Sequence, residues 1–330
     1  MLKYILKRLG LALIILLGVS LILYILVRCM PFDFIEQKIA GMSQGNNIPQ
    51  DVVDNMYKRY GLTPNPTFLD MIAGYFSWLW SLLKLDLGES FLFSDKVLAV
   101  IADHMGVSFA IAFIAMIIEY MIAIPLGVTA ATHQYSIRDY VVTVFVMIGI
   151  SLPSFFFARM LQNVFSLNLR WFPYQGLIDA TKGYTGFSLL MDELWHVSLP
   201  LIAMIVLGIG GTMRYMRTNM LEVLNSDYIR TARAKGLNER KVIYKHAFRN
   251  TMIPIVTMMA GILPSLFSGA MITEQVFDLP GIGNWALKAM VAADIPFIMG
   301  YNMFLAFLSV VGVLLSDLMY MVVDPRVKLG

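Results

Sequence analysis

Hydrophobic and polar positions fall in long blocks along this chain. Residues 9–27 form an unbroken apolar run of about 19 residues, enough to cross roughly 30 Å of hydrocarbon at ~1.5 Å per residue. Further apolar blocks cover residues 106–130, 140–165, 197–214, 253–276 and 297–323. The pattern predicts an all-α membrane protein with six transmembrane helices. Basic residues precede the first block, as they do in a cleaved signal peptide. This run is too long for one, and Val27-Arg28-Cys29 lacks the small residues of a cleavage site, so the first helix is expected to stay.

The polar stretches set the orientation. Lys3, Lys7 and Arg8 place the N-terminus inside, and a basic tail at Arg326 and Lys328 ends inside as well. The short loop 131–139 carries His133 and Arg138 and is expected to be internal. Residues 166–196 and 277–296 are then external loops. Between the first two spans, acids (Asp33, Glu36, Asp51, Asp54, Asp70) and turn formers indicate an external segment. Within it, residues 66–85 are amphipathic and Trp-rich, as in a helix lying on the bilayer surface. The expected layout is residues 1–28 (N-terminus and first span), 29–97 (external), 98–323 (a five-helix core) and 324–330 (internal tail).

The largest internal stretch, residues 214–252, is the chain's one polar island between apolar blocks. It carries Arg214, Arg217, Arg230, Arg233, Lys235, Arg240, Lys241, Lys245 and Arg249 against Glu222, Asp227 and Glu239. Ser226 is a helix N-cap and Gly236 a stop signal, so residues 226–235 read as a short helix, with Asn238 capping the next. A basic helix–Gly–helix hairpin facing the cytosol suggests a docking handle for a soluble partner.

Composition agrees with a membrane class: 58% of residues are hydrophobic and 14% charged, where soluble chains carry about 25% charged. The lone cysteine, Cys29, excludes an intrachain disulfide framework, and four scattered histidines give metal chemistry no support. There is no GxxxxGK[ST] phosphate loop, so ATP is not bound here in the usual way, and no GxSxG elbow for a hydrolase.

The charges read as deep inside the apolar blocks are Glu119, Arg159 and Asp317, each costing about 2.5–3.5 kcal/mol or more at mid-membrane unless partnered or wet. Glu119 either lines a wet path or carries a proton, or it forms a structural pair, with Arg159 one candidate, or a contact with a second subunit. Asp317 is expected to reach towards Arg326 or Lys328. In the fifth block Thr257, Gly261, Ser265 and Ser268 recur at helical spacing. Such a stripe serves helix packing or lines a path. The segment Phe277-Asp278-Leu279-Pro280-Gly281-Ile282-Gly283 indicates a tight external turn.

The island is more specific still. Asp227-Tyr228-Ile229-Arg230-Thr231-Ala232-Arg233-Ala234-Lys235-Gly236, followed by Arg249-Asn250 and Ile253-Pro254, resembles the cytoplasmic coupling loop of ABC importer permeases. It is most similar to the dipeptide, oligopeptide and nickel branch. Leu85-Asp86-Leu87-Gly88, Ile124-Pro125-Leu126-Gly127, the 277–283 loop, Asp294-Ile295-Pro296 and Asp324-Pro325-Arg326-Val327 agree. The likeness spans essentially the whole chain and points to the first, B-type permease of a pair. Two positions depart from the usual pattern: Arg230-Thr231-Ala232 stands where the superfamily loop has Glu-Ala-Ala, and Met30-Pro31-Phe32-Asp33 where peptide permeases have Pro-Gly-Asp-Pro.

The resemblance implies a type I ABC importer permease fold in a bacterial or archaeal plasma membrane. It implies a heterodimer with a second permease, two cytosolic subunits that bind ATP and Mg, an extracytoplasmic solute-binding protein, and no cofactor or catalytic residue on this chain. The short helix 227–236 would enter a groove of the ATPase, with Ala232, Ala234 and Gly236 permitting close approach, Tyr228 and Ile229 as apolar anchors, and Arg230, Arg233 and Lys235 fixing orientation. Peptides are the implied substrate, with nickel chelates or glutathione-like solutes as alternatives. A self-sufficient proton-coupled carrier using Glu119 is the competing class.

Overall fold

The computed structural model describes residues 2–28, 53–55, 67–258 and 261–323. The departure at Met30-Pro31-Phe32-Asp33 and the whole 324–330 tail, including the expected partners of Asp317, lie outside the described residues. Helices account for the regular structure: α1 (Leu2–Arg28), α2 (Phe68–Leu83), α3 (Val97–Thr132), α4 (Ile137–Ser151), α5 (Ser154–Leu161) and α6 (Phe187–Leu224) come first. They are followed by α7 (Asp227–Ala234), α8 (Glu239–Lys241), α9 (Phe248–Met258), α10 (Ile262–Ser268), α11 (Met271–Val276), α12 (Ile282–Val291) and α13 (Ile295–Val323). Four of them, α1, α3, α6 and α13, are long and apolar enough to cross a membrane, and the bent pair formed by α4 and α5 makes a fifth candidate.

The remaining apolar block, predicted as one span, is broken into shorter helices. It is divided into α9, α10 and α11, and Gly269 between the last two has φ +69°, a backbone that no continuing helix can use. The third block is also bent, by 99°, where Leu152 is extended at φ −88°, ψ 130° ahead of Pro153. Proline removes a helix donor and pushes the residue before it out of the helical region. Helices α3 and α6 instead outrun their expected spans. At 38 residues α6 is about 57 Å long, well beyond the hydrocarbon, because polar turns at a helix end break hydropathy without breaking hydrogen bonding.

The chain divides into two compact units. The first comprises Met1–Gly106 and Trp285–Val310. Here α2 starts with a capping box: Thr67 Oγ1 accepts from the Asp70 N–H, and the Thr67 N–H donates to Asp70 Oδ2. Tyr75 and Trp78 of α2 turn to Tyr24 of α1, with ring centroids 5.5 and 6.2 Å away. Phe68, Leu69, Phe76, Trp80 and Leu83 remain exposed. The Leu87-Gly88-Glu89-Ser90 turn is tied down by buried Asp294, which accepts from Ser90 Oγ at 2.5 Å and Leu92 N at 3.0 Å.

The second unit comprises Val107–Asn284 and Val311–Gly330. Its core is built where α6 meets α3, α4 and α5, around Ala123, Leu199, Ala203 and Met213. Close approach is achieved with small residues, as between membrane helices generally. At Gly127 a side chain would run into Met216 of α6.

Candidate functional site

The polar island folds into a hairpin seated on its own apolar cluster. Ser226 is extended (φ −72°, ψ 153°) and its carbonyl accepts from Ile229 and Arg230 N–H, starting α7. Its hydroxyl does not cap the helix and donates instead to Val223 O at 2.6 Å. The helix ends where the Gly236 N–H donates to Arg233 O and the chain turns at φ +73°. Asn238 then accepts from the Arg240 N–H at 2.9 Å and opens α8. From Val242 to Ala247 the winding widens to a π-helix before α9.

Burial sorts the residues of α7. Ile229 is 0% exposed and Ala232 is buried beside it, in a cluster with Val128, Met216, Met220, Leu224, Val242, Ala247 and Ile255. Burying an isoleucine side chain contributes about 1.5–3 kcal/mol, which fixes the hairpin to the helix ends beneath it. The sequence reading made Ile229 an outward anchor and Ala232 a point of close approach; the fold turns both inward. Asp227, Tyr228, Arg230, Thr231, Arg233, Ala234, Lys235 and Gly236 form the exposed side.

Charge on that side is partly internal to the hairpin. Arg233 grips Glu239 with two hydrogen bonds, Nη2 to Oε1 at 2.7 Å and Nε to Oε2 at 3.2 Å. That hydrogen bonding holds the Glu239 carboxyl below the ordinary range. Arg230 has only a loose, exposed contact with Asp227 at 3.6 Å. A shallow cavity of about 580 Å³ next to Gly236 is walled by Arg240, Lys241, Tyr244 and Lys245, with no acidic residue in its lining. The hairpin therefore presents a firmly held, mainly cationic surface on which Tyr228 and Tyr244 are exposed.

Glu119 is not paired with Arg159. It accepts from Thr212 Oγ1 of α6 at 2.5 Å, while Arg159 donates to Gln162 Oε1 at 2.8 Å. The stripe in the fifth block is spread over two helices. Thr257 lies on α9, Gly261 precedes α10, and Ser265 and Ser268 lie on α10. Gly261 and Ser265 are exposed and Ser268 is half-buried; the two hydroxyls donate to Ile262 O and Ser265 O. Among the described residues no cluster of histidine, cysteine and carboxylate side chains could hold a metal ion.

Two carboxylates escaped the sequence reading. Glu274 lies inside the fifth block yet was not counted among its charges, and it is 2% exposed. Asp139, at the start of α4, is equally enclosed and binds Arg217. An acid next to the glycine-rich turn was the available signal for Glu274. Locally Asp139 reads only as a first-turn acid three residues after the N-cap Ser136, because its ion-pair partner is 78 residues away.

Comparison with known proteins agrees with this architecture. The family described as "Binding-protein-dependent transport system inner membrane component" matches residues 123–329. The oligopeptide transport system permease protein AppB of Bacillus subtilis (strain 168) is 33% identical over 329 residues, 99% of this chain and 100% of that one. A putative peptide transport system permease protein of Brucella abortus (strain 2308) is 35% identical over 324 residues, 98% of each. Among solved structures, the inward-facing MetNI methionine ABC transporter has a chain similar at TM-score 0.51 and 14% identity, covering 69% of this chain and 97% of that one. At that identity the likeness concerns the fold, that of a type I permease.

Proposed function

We propose, on the premise that the chain belongs to the family of binding-protein-dependent transport system inner membrane components, that it forms half of the membrane path of an ATP-driven peptide importer. The full-length relatives named as oligopeptide and peptide permeases support the substrate class. The observation that carries the mechanism is the α7 hairpin. Ile229 and Ala232 lock it to the ends of α3 and α6, so force applied at its exposed side passes into the helices with little slack. Tyr228, Arg230, Arg233, Ala234, Lys235 and Gly236 form the face offered to a cytosolic ATPase subunit.

In this reading ATP and Mg are bound, and ATP is hydrolysed, on two partner subunits. A second, related permease completes the path, and an extracytoplasmic solute-binding protein delivers the peptide. The complex sits in a bacterial or archaeal plasma membrane. Closure of the ATPases pushes on α7, and the rigid hairpin hands the motion to α6 on one side and α9 on the other. Ser265 and Ser268 of α10 line the path.

The test is reconstitution of this chain with its neighbouring subunits in proteoliposomes. Uptake of a labelled mixture of short peptides should require ATP and stop when hydrolysis on the partners is blocked. Uptake driven by a proton gradient without ATP would overturn the reading.

A further inference from the structure

Burying a carboxylate costs several kcal/mol unless hydrogen bonds replace its water, so the enclosed Glu274 calls for a reason. Its Oε1 accepts from Ser108 Oγ of α3 at 2.7 Å and from Ala270 N at 3.1 Å, and its Oε2 from Asn284 N at 3.0 Å. Ser108 Oγ in turn accepts from Ile282 N at 2.8 Å. One carboxylate thus joins the start of α11, the first turn of α12 and the flank of α3. Gly269, Gly281 and Gly283 surround it, and a side chain at any of the three would collide with the carboxylate. The loop read from sequence as a tight turn is therefore built around an acid.

What hangs from this clasp is α10. Leu266 is its buried residue, and Phe267 beside it stacks on Phe109 of α3 with ring centroids 4.8 Å apart, so apolar contacts hold one side of α10. Its outer end passes through Gly269 straight into Ala270, which the Glu274 carboxylate grips. Its other end begins at Gly261. Gly269 gives the chain a sharp turn at φ +69° between α10 and the clasp, so the grip on Ala270 sets the angle at that junction.

We propose that Glu274 is a positioning residue for transport: by joining Ser108, Ala270 and Asn284 it holds α10, and with it Ser265 and Ser268, in place along the path. Apolar packing could hold these segments together. A carboxylate with three directed acceptor bonds also sets the angle at which α10 leaves the clasp. The inference rests on the permease reading and assigns a residue to it.

The test uses the complete importer in proteoliposomes with a labelled short-peptide mixture. Assembled complex, basal ATP hydrolysis and peptide moved per ATP are measured for wild type, Glu274→Gln, Glu274→Asp and Ser108→Ala. Glutamine places an NH₂ group where the carboxylate accepts, setting donor against donor. Glu274→Gln should lower peptide per ATP about tenfold, the worth of one charge-assisted hydrogen bond, with assembly and basal hydrolysis near wild type. Ser108→Ala, which keeps the carboxylate and its two N–H donors, should lower it about threefold. Glu274→Asp should recover part of the loss. Unchanged peptide per ATP in Glu274→Gln overturns the proposal. So does an unchanged Ser108→Ala alongside a Glu274→Gln chain that does not assemble, since the acid would then serve folding alone. A wild-type complex without ATP-dependent uptake would instead defeat the permease reading.

Discussion

Arg217 of α6 forms a two-pronged pair with Asp139 at the start of α4, Nε to Oδ1 at 2.9 Å and Nη2 to Oδ2 at 2.8 Å. Asp139 also accepts from the Tyr135 N–H at 3.0 Å, so the pair closes the short loop ahead of α4 against α6. With Asp139 buried and Arg217 three-quarters so, solvent screens the pair little. Asp139→Asn should destabilise the detergent-solubilised chain by about 1.5–3 kcal/mol, the worth of hydrogen bonds to a charged group. Chemical unfolding measures this, and a change under about 0.5 kcal/mol would mean the pair is ornamental.

Ile229 and Tyr228 are neighbours with opposite fates, and substitution should separate them. Ile229→Ala opens a cavity under the hairpin and should cost about 2–5 kcal/mol. Tyr228→Ala removes an exposed ring and should leave stability within about 0.5 kcal/mol. If α7 is the ATPase contact, Tyr228→Ala should nonetheless weaken recovery of the ATPase with the purified permease. Full recovery would remove Tyr228 from that contact.

Gly236 is a backbone requirement. At φ +73° with open space around it, Gly236→Ala should cost about 1–2 kcal/mol in strain and leave uptake measurable. Gly236→Pro cannot adopt that angle and also removes the N–H that donates to Arg233 O. It should abolish uptake while the chain still reaches the membrane, as read by uptake assays beside quantitative blotting of membranes.

The Arg233–Glu239 pair complicates any charge reversal at Arg233, because Arg233→Glu would set two carboxylates together. The informative variant exchanges them, Arg233→Glu with Glu239→Arg. It should rebuild the pair but not transport, since the outward charge has changed place; full transport would make Arg233 a purely internal brace. Because Glu239 titrates below its ordinary value in the folded chain, what the pair contributes is present above the unfolded pKa of about 4.3 and is lost as pH falls through the lower folded value. Protease sensitivity at the Gly236 turn should thus be flat from about pH 8 to 5 and rise only in stronger acid.

Glu119 gives the last prediction. With Thr212 donating to it, Glu119→Gln retains an acceptor for that hydroxyl and should leave ATP-driven uptake within about threefold of wild type. A collapse of uptake in that variant, with assembly intact, would return weight to a proton-carrying role.

Much of this protein was determined by its sequence alone. Apolar blocks near 20 residues set the helical class, and Lys3, Lys7 and Arg8 with the basic island between 214 and 252 predict the cytosolic side, because hydropathy and charge bias act over short stretches of chain. Ser226, Gly236 and Asn238 marked the hairpin for the same reason, since caps and turns are local chemistry. Tertiary structure decided the rest. Only folding showed that Ile229 points into the chain's own core, that Asp139 meets Arg217, and that the fifth block breaks at Gly269. Glu274 is the sharpest case, joining Ser108 from 166 residues away to a turn beside it. A buried carboxylate is worth keeping only where distant donors converge on it, and no local pattern in the chain records that convergence.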